Sequence, residues 1–371
     1  MANSGSERIK PHSSDKNHSA DISGSSEFFE TPNYESLRDN FTTALQKASK
    51  GEPSSLSFIR NPMPEKSLIK NGVIQGIVVG GTNFETQWAH VFNGDIRMIP
   101  ELEQKGTVPP FPDFQSLLDF LKTHIDPHAD GIGINLAYPL APKQGPHGEL
   151  DGVILYGTKG NTFDQVPKEP LGQLLQNTMN LAIPISVAND TVCLGENGLV
   201  VGSGFNMSIA TTEGNTHFRV NLEAGNFNDE ANSKNKGAAR YEKMLSGMYL
   251  AQHYNLLAQA NRLSVSSVIN GEMITNLAEN DKGAAGQLAR DLLERSASLV
   301  AVPIAAVYTF LEQPEHLTFA ADGSVLKKGW QFATNVHKRL TRLGVPKGAI
   351  QFEQTQDAAL QGALRLLTQT K

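Results

Sequence analysis

Apolar positions alternate along the chain between short β-rich runs and stretches at helical spacing. Val73–Val79 is a compact apolar run followed at once by Gly80-Gly81-Thr82-Asn83 and then by Thr86–Phe92, which predicts a hairpin closed by a glycine turn. Phe114, Leu117, Leu118 and Leu121 fall at i, i+3, i+4 and i+7, so a helix is predicted there, with Pro112-Asp113 near its start. Gly131–Ala137 and Val153–Tyr156 read as strands, Leu171–Leu181 as a helix, and Ile183–Ala188 as a strand ending at Asn189-Asp190.

The second half repeats the theme. Leu199–Val201 is a strand running into Gly202-Ser203-Gly204, and His217–Leu222 is another. Tyr241, Met244, Leu245, Met248 and Tyr249 share one face of a predicted helix, and Gly283–Val300 reads as a further helix. Leu317–Ala321 is strand-like and meets a turn at Asp322-Gly323-Ser324; Leu326–Leu343 and Asp357–Leu367 follow as helices. No fixed-period repeat is evident. What recurs is a strand leading into a glycine-rich turn, near residue 80 and again near residue 202. Strands alternating with helices favour an α/β protein of two lobes.

Composition narrows the function classes. The 371 residues carry 32 Lys+Arg and 38 Asp+Glu, a net charge of −6, with 39% hydrophobic and 19% charged residues. That is an ordinary soluble globular balance, and without a long basic block it argues against nucleic acid or an anionic membrane as the main partner. The single cysteine, Cys193, excludes an intrachain disulfide framework and a Cys-based metal site. The apolar stretch Ala297–Tyr308 carries Pro303 and is too short to span a bilayer. Eight serines in Met1–Ser26, and few large aliphatics, predict a disordered tail. No apolar signal-peptide core is visible there, so a cytoplasmic protein is expected.

Several residues could carry chemistry. Adjacent glycines can turn backbone N–H groups toward one point, so Gly80-Gly81-Thr82-Asn83 and Gly202-Ser203-Gly204 are each either simple turns or anion nests. Asn189-Asp190-Thr191 ends an apolar strand, where α/β folds place ligand groups, though Asn and Asp are equally favoured as helix caps. Thr158-Lys159-Gly160 reads as an exposed turn, and Glu223, after the apolar strand ending at Leu222, and Glu242, at the start of its helix, as surface carboxylates. His124, Asp126, His128 and Asp130 have metal-like spacing, but a polar loop explains them equally well and no second cluster completes a site; no metal site is assigned.

Taken in order, Gly80-Gly81-Thr82-Asn83-Phe84, Thr158-Lys159-Gly160, Asn189-Asp190-Thr191-Val192, Gly202-Ser203-Gly204-Phe205-Asn206, Asn221-Leu222-Glu223 and Tyr241-Glu242-Lys243-Met244 resemble the motifs of the hexokinase family. Weaker echoes follow at Glu294–Val300 and Asp322-Gly323-Ser324, so the resemblance runs from about residue 35 to residue 369. It implies two actin-like (ribonuclease H-like) lobes with mixed sheets flanked by helices and a cleft between them. The small lobe is expected over 74–200 plus 356–371, the large lobe over 27–73 plus 201–355, with 1–26 as the tail.

The resemblance further implies transfer of the γ-phosphoryl group of ATP, with Mg²⁺, to the 6-hydroxyl of glucose or a similar hexose. Asp190 matches the catalytic base, and Lys159 and Thr158 the pair that touches sugar and transferring phosphate. Asn189, Asn206, Glu223 and Glu242 match sugar ligands. Gly80, Gly81, Thr82 and Asn83, Gly202, Ser203 and Gly204, and Asp322, Gly323 and Ser324 match nucleotide-binding turns. The chain departs from the family in four places. Val78 replaces an aspartate that helps hold hydrated Mg²⁺, and Glu85 replaces an arginine. Ala137 replaces the sugar-loop serine, and Ala358–Gly362 stands where a glycine-rich turn near the adenosine is expected. These departures also allow a sugar-binding sensor or regulator without useful catalysis.

Overall fold

A computed structural model describes residues 32–157, 163, 166–227, 239–263, 265–354 and 357–368. The expected tail and Thr158-Lys159-Gly160 lie outside the described residues. In chain order the strands are β1 (Ile59–Pro62), β2 (Asn71–Val79), β3 (Asn83–Phe92), β4 (Asp95–Thr107), β5 (Gly131–Leu136), β6 (Leu140–Gln144), β7 (Leu150–Ile154), β8 (Ile185–Asn189), β9 (Gly198–Val201), β10 (Phe205–Glu213), β11 (Thr216–Asn221), β12 (Leu317–Asp322) and β13 (Ile350–Glu353). The helices are α1 (Tyr34–Ser49), α2 (Phe114–His124), α3 (Leu171–Met179), α4 (Asp190–Leu194), α5 (Arg240–Leu245), α6 (Gly247–Ala260), α7 (Gly271–Asn280), α8 (Ala284–Phe310), α9 (Ser324–Lys328), α10 (Phe332–Arg342) and α11 (Ala358–Thr368).

Two sheets share one plan. In the first, ordered β4-β3-β2-β5-β8, β4, β3 and β2 form an antiparallel meander, and β5 and β8 continue parallel to β2. In the second, ordered β1-β11-β10-β9-β12-β13, β11, β10 and β9 are the antiparallel meander and β12 and β13 the parallel continuation, with β1 added outside β11. This duplication is why a strand running into a glycine turn occurs twice. Both turns close the hairpin between the innermost meander strand and its neighbour. A two-stranded ribbon, β6–β7, packs on β8.

The aliphatic faces bury in separate cores. Ile77, Val79, Ile132, Ile134, Leu136, Ile185 and Val187 of the first sheet pack with Leu117, Leu118 and Leu121 of α2, the face its spacing predicts. Asp113 caps that helix, accepting from the Ser116 N–H at 2.8 Å. The second sheet packs its Leu199, Val201, Met207, Ile209 and Phe319 against α8 and the helices around it. By area alone, each fully buried aliphatic of this kind contributes about 1.5–3 kcal/mol.

The expected helices are corrected in three places. Tyr241–Tyr249 is not one helix: Ser246 is extended (φ −81, ψ 156), and the chain restarts so that the Gly247 N–H donates to the Gly202 carbonyl at 2.7 Å. Leu326–Leu343 is split at Gly329–Gln331, with Gln331 at φ 46. The helix expected to end at Val300 instead runs straight through Pro303 as α8. A proline inside a helix orphans the carbonyl four residues back; here that carbonyl is Leu299's, and the Tyr241 hydroxyl donates to it at 2.8 Å. By length and composition α8 is apolar enough to cross a membrane, and 83% of its most apolar window is buried inside the protein.

Candidate functional site

α4 is five residues long and connects the sheets. It leaves β8 of the first sheet and packs against β9, β10, β11 and β12 of the second. The second sheet grips it through backbone carbonyls. Ser208 Oγ donates to the Thr191 carbonyl at 2.9 Å, and Arg219 Nη1 to the Val192 carbonyl at 3.1 Å. Two glycines make this approach possible, since a Cβ on Gly198 would collide with the Thr191 carbonyl and one on Gly362 with the Cys193 carbonyl. Asp190, the first residue of this helix, is half-buried where the two sheets meet.

The alternative reading of Asn189-Asp190 as a cap is true as well, and the two residues divide the work. Asn189 is the N-cap, its Oδ1 accepting from the Thr191 N–H at 3.1 Å and the Thr191 hydroxyl at 2.8 Å. Its amide donates to the Tyr138 carbonyl at 3.2 Å, which fastens the loop Ala137-Tyr138-Pro139. Asp190 Oδ1 also accepts from the Thr191 N–H, at 2.8 Å. Burial pushes the neighbouring Cys193 thiol well up, and the Asp190 carboxylate adds to this, so the thiol stays neutral and is no nucleophile.

From Asn189 a chain of polar side chains crosses into the second sheet. Asn206 Nδ2 donates to Asn221 Oδ1 at 3.0 Å and lies 3.5 Å from both Asn189 Oδ1 and Glu223 Oε1. Asn221, 1% exposed, donates to Glu223 Oε1 at 2.7 Å and accepts from the Glu223 N–H at 3.1 Å. Glu223 sits at φ 46, in the left-handed region that a non-glycine residue rarely holds. Glu242 lies against Gly225, two residues on, and accepts from the Phe205 N–H at 2.8 Å through Oε2. The structure therefore gathers Asn189, Asp190, Asn206, Glu223 and Glu242, five sequence-predicted residues from separate segments. Thr158 and Lys159 lie outside the described residues. Asn221 belongs to the Asn221-Leu222-Glu223 motif, and its burial next to a carboxylate marks it as the residue that holds Glu223 in place.

The two glycine turns differ. In the first, the Gly80 N–H donates to the Asn83 carbonyl at 3.0 Å, and Gly81, Thr82 and Asn83 are exposed at a hairpin tip. The second is walled in. The Gly202 N–H donates to the Gly204 carbonyl at 3.0 Å, while Gly323 packs against Val201 and Gly202. Gly323 adopts φ 110 there. Asp322, Gly323 and Ser324 are thus brought to Gly202–Gly204, with Asp322 Oδ1 2.7 Å from Lys327 Nζ. Ala358–Gly362 forms the first part of α11, within the helix expected over Asp357–Leu367, and α11 packs on α4.

Val78 and Glu85 are directly opposed across β2 and β3. Glu85 pairs with Lys105 at 3.5 Å, and Lys105 is raised in pKa chiefly by its bond to Glu103, with Glu85 adding. His124, Asp126, His128 and Asp130 serve the loop instead of a metal. His124 packs edge-on against Phe84, Asp126 accepts from Trp88 Nε1 at 3.0 Å and from the His128 N–H at 2.9 Å, and Asp130 accepts from the Val73 N–H at 2.7 Å. No group of three potential metal ligands occurs among the described residues.

Two sheets of one plan, meeting at an aspartate between glycine turns, make an actin-like α/β fold. Solved hexokinases share it: the Schistosoma mansoni hexokinase complexed with glucose superposes with a TM-score of 0.74 at 18% identity, covering 92% of this chain and 96% of that one. A second hexokinase structure gives 0.67 at 20% identity, covering 91% and 96%. The hexokinase family description matches residues 254–367. Human Hexokinase-3 is 25% identical over 86% of this chain, and human Hexokinase-2 is 26% identical over 79%. The chain is thus similar to hexokinases in sequence and in fold, and it spans less than half of those two relatives, 43% and 41% of their lengths.

Proposed function

We propose that this protein is an ATP-dependent hexose kinase, transferring the γ-phosphoryl group to the 6-hydroxyl of glucose or a similar hexose. The observation that carries the reading is the continuous polar chain Asn189–Asn206–Asn221–Glu223 beside Asp190 at the meeting of the two sheets. Carboxylates and carboxamides in this density suit vicinal hydroxyls, since a carboxylate accepts from two adjacent hydroxyls in a strong, orienting contact. Asp190 accepts the 6-hydroxyl proton as the phosphoryl group arrives, and the two glycine turns hold the polyphosphate. Phosphoryl transfer asks mainly for positioning and charge neutralisation. Magnesium, entering with ATP, supplies charge neutralisation on the phosphates. Neither Glu85 nor Asp322 is well suited to replace the carboxylate absent at Val78, since Lys105 and Lys327 respectively engage them. On this reading a small lobe, 74–200 plus 356–371, and a large lobe, 27–73 plus 201–355, close around the sugar, and the cytoplasm is the expected compartment.

A coupled assay with glucose and Mg-ATP tests the proposal. Sugar 6-phosphate formation supports it; no product across several hexoses and phosphoryl donors retires it.

A further inference from the structure

We infer that Tyr156 is a positioning residue for the acceptor sugar, acting through Asn226 on Glu223; the inference rests on the hexose-kinase reading above. Tyr156 lies just beyond β7, on the ribbon that packs on β8 of the first sheet. Asn226 closes the single 3-10 turn Ala224–Asn226 of the second sheet's half, and its Nδ2 donates to the Tyr156 hydroxyl at 3.2 Å.

That bond bears on Glu223 because of how the turn is held. Glu223 precedes it in the left-handed conformation, at φ 46, which a side-chain-bearing residue keeps only when its surroundings over-determine it. At the front, Asn221 Oδ1 accepts from the Glu223 N–H at 3.1 Å and Asn206 Oδ1 from the Ala224 N–H at 3.0 Å. Within the turn, the Asn226 N–H donates to the Glu223 carbonyl at 2.9 Å. Gly225 packs on Glu242, where a Cβ would stand 3.1 Å from Glu242 Cβ. The front holds all come from the second sheet's own strands. The hold at the back comes from the ribbon, so the direction of the Glu223 carboxylate depends on where the two halves stand relative to each other. Asp190 is fixed separately, by α4, and the Gly202–Gly204 turn by Gly247 and Gly323. Loss of the Tyr156–Asn226 bond therefore weakens sugar binding while leaving nucleotide binding and the chemical step nearly unchanged.

Glucose and ATP are titrated separately by calorimetry into the full chain as wild type, Tyr156→Phe, Asn226→Ala and the double variant, with melting temperatures recorded. One hydrogen bond predicts glucose affinity lowered about two- to tenfold in each single variant. Because the two residues act through one contact, the double variant loses no more than the worse single. The ATP affinity and turnover at saturating glucose stay at wild-type values. Glucose affinity unchanged in Tyr156→Phe, or losses that simply add in the double variant, overturn the inference and leave the kinase reading standing. A wild-type chain that binds none of several hexoses removes the kinase reading, and the inference with it.

Discussion

The first glycine turn, Gly80–Asn83, and the second, Gly202–Gly204, occupy the same place in two sheets of the same plan, yet their surroundings are unlike. The first stands at an exposed hairpin tip, held by its own backbone bond, with the apolar Val78 and the Lys105-paired Glu85 behind it. The second is enclosed by Gly323 and by the restart of the chain at Gly247, and it leads directly into Asn206 and the buried carboxamide chain. An exposed turn tolerates substitution because few groups depend on it. An enclosed one does not, since each neighbour has been shaped to its backbone. The departures from the hexokinase pattern at Val78 and Glu85 fall behind the tolerant turn, and the polar cluster that suits a sugar lies beyond the intolerant one.

The comparison can be broken most decisively at the junction itself. Asp190→Ala is expected to lower turnover by about 10²–10⁴-fold, the usual contribution of a general base, with glucose binding retained by calorimetry. Gly323→Ala places a Cβ into the Val201 carbonyl at a φ of 110. It should cost about 3 kcal/mol in urea unfolding, the sum of strain and overpacking. Gly80→Ala, whose Cβ meets only the Asn83 oxygen at 3.1 Å, should cost about 0.5 kcal/mol or less in the same measurement. Equal losses at the two turns would erase the contrast.

Burial within the first half offers a further test. Asp151 on β7 accepts from the Gly152, Gly172 and Gln173 N–H groups, which favours the carboxylate. Desolvation outweighs them and raises its pKa to about 6, with Glu149 adding. The folded chain then holds more protons than the unfolded one between about pH 4 and pH 6, so stability falls as the pH rises through that window. The loss is roughly 2–3 kcal/mol. Asp151→Asn should lack this fall when urea midpoints are compared at pH 4 and pH 7. Asn221→Ala removes the 2.7 Å amide bond to Glu223 and should cost about 1–3 kcal/mol, read as lower stability together with weaker glucose binding. The smallest effect belongs to the strand behind the exposed turn: Glu85→Gln should change stability by less than about 0.5 kcal/mol, as for a surface pair.

The alternation of apolar residues by itself determined that strands and helices intermix, that α2 buries Phe114, Leu117, Leu118 and Leu121, and that two strands run into glycine turns. Local patterns suffice there because periodicity and turn chemistry act over a few residues. The short motifs likewise marked Asp190, Asn206, Glu223 and Glu242 before any contact was known. Tertiary structure alone decided that α8 continues through Pro303, because the carbonyl the proline orphans is satisfied by Tyr241 from another helix. It decided that the helix expected over Tyr241–Tyr249 breaks at Ser246, where a bond from Gly247 to the distant Gly202 replaces a helical one. It also turned Asn221 and Asn226 into supports for one carboxylate and set the metal-like spacing of His124–Asp130 to tying a loop together. Partners far apart in the chain compete with local preference, and only the folded arrangement shows which of them wins.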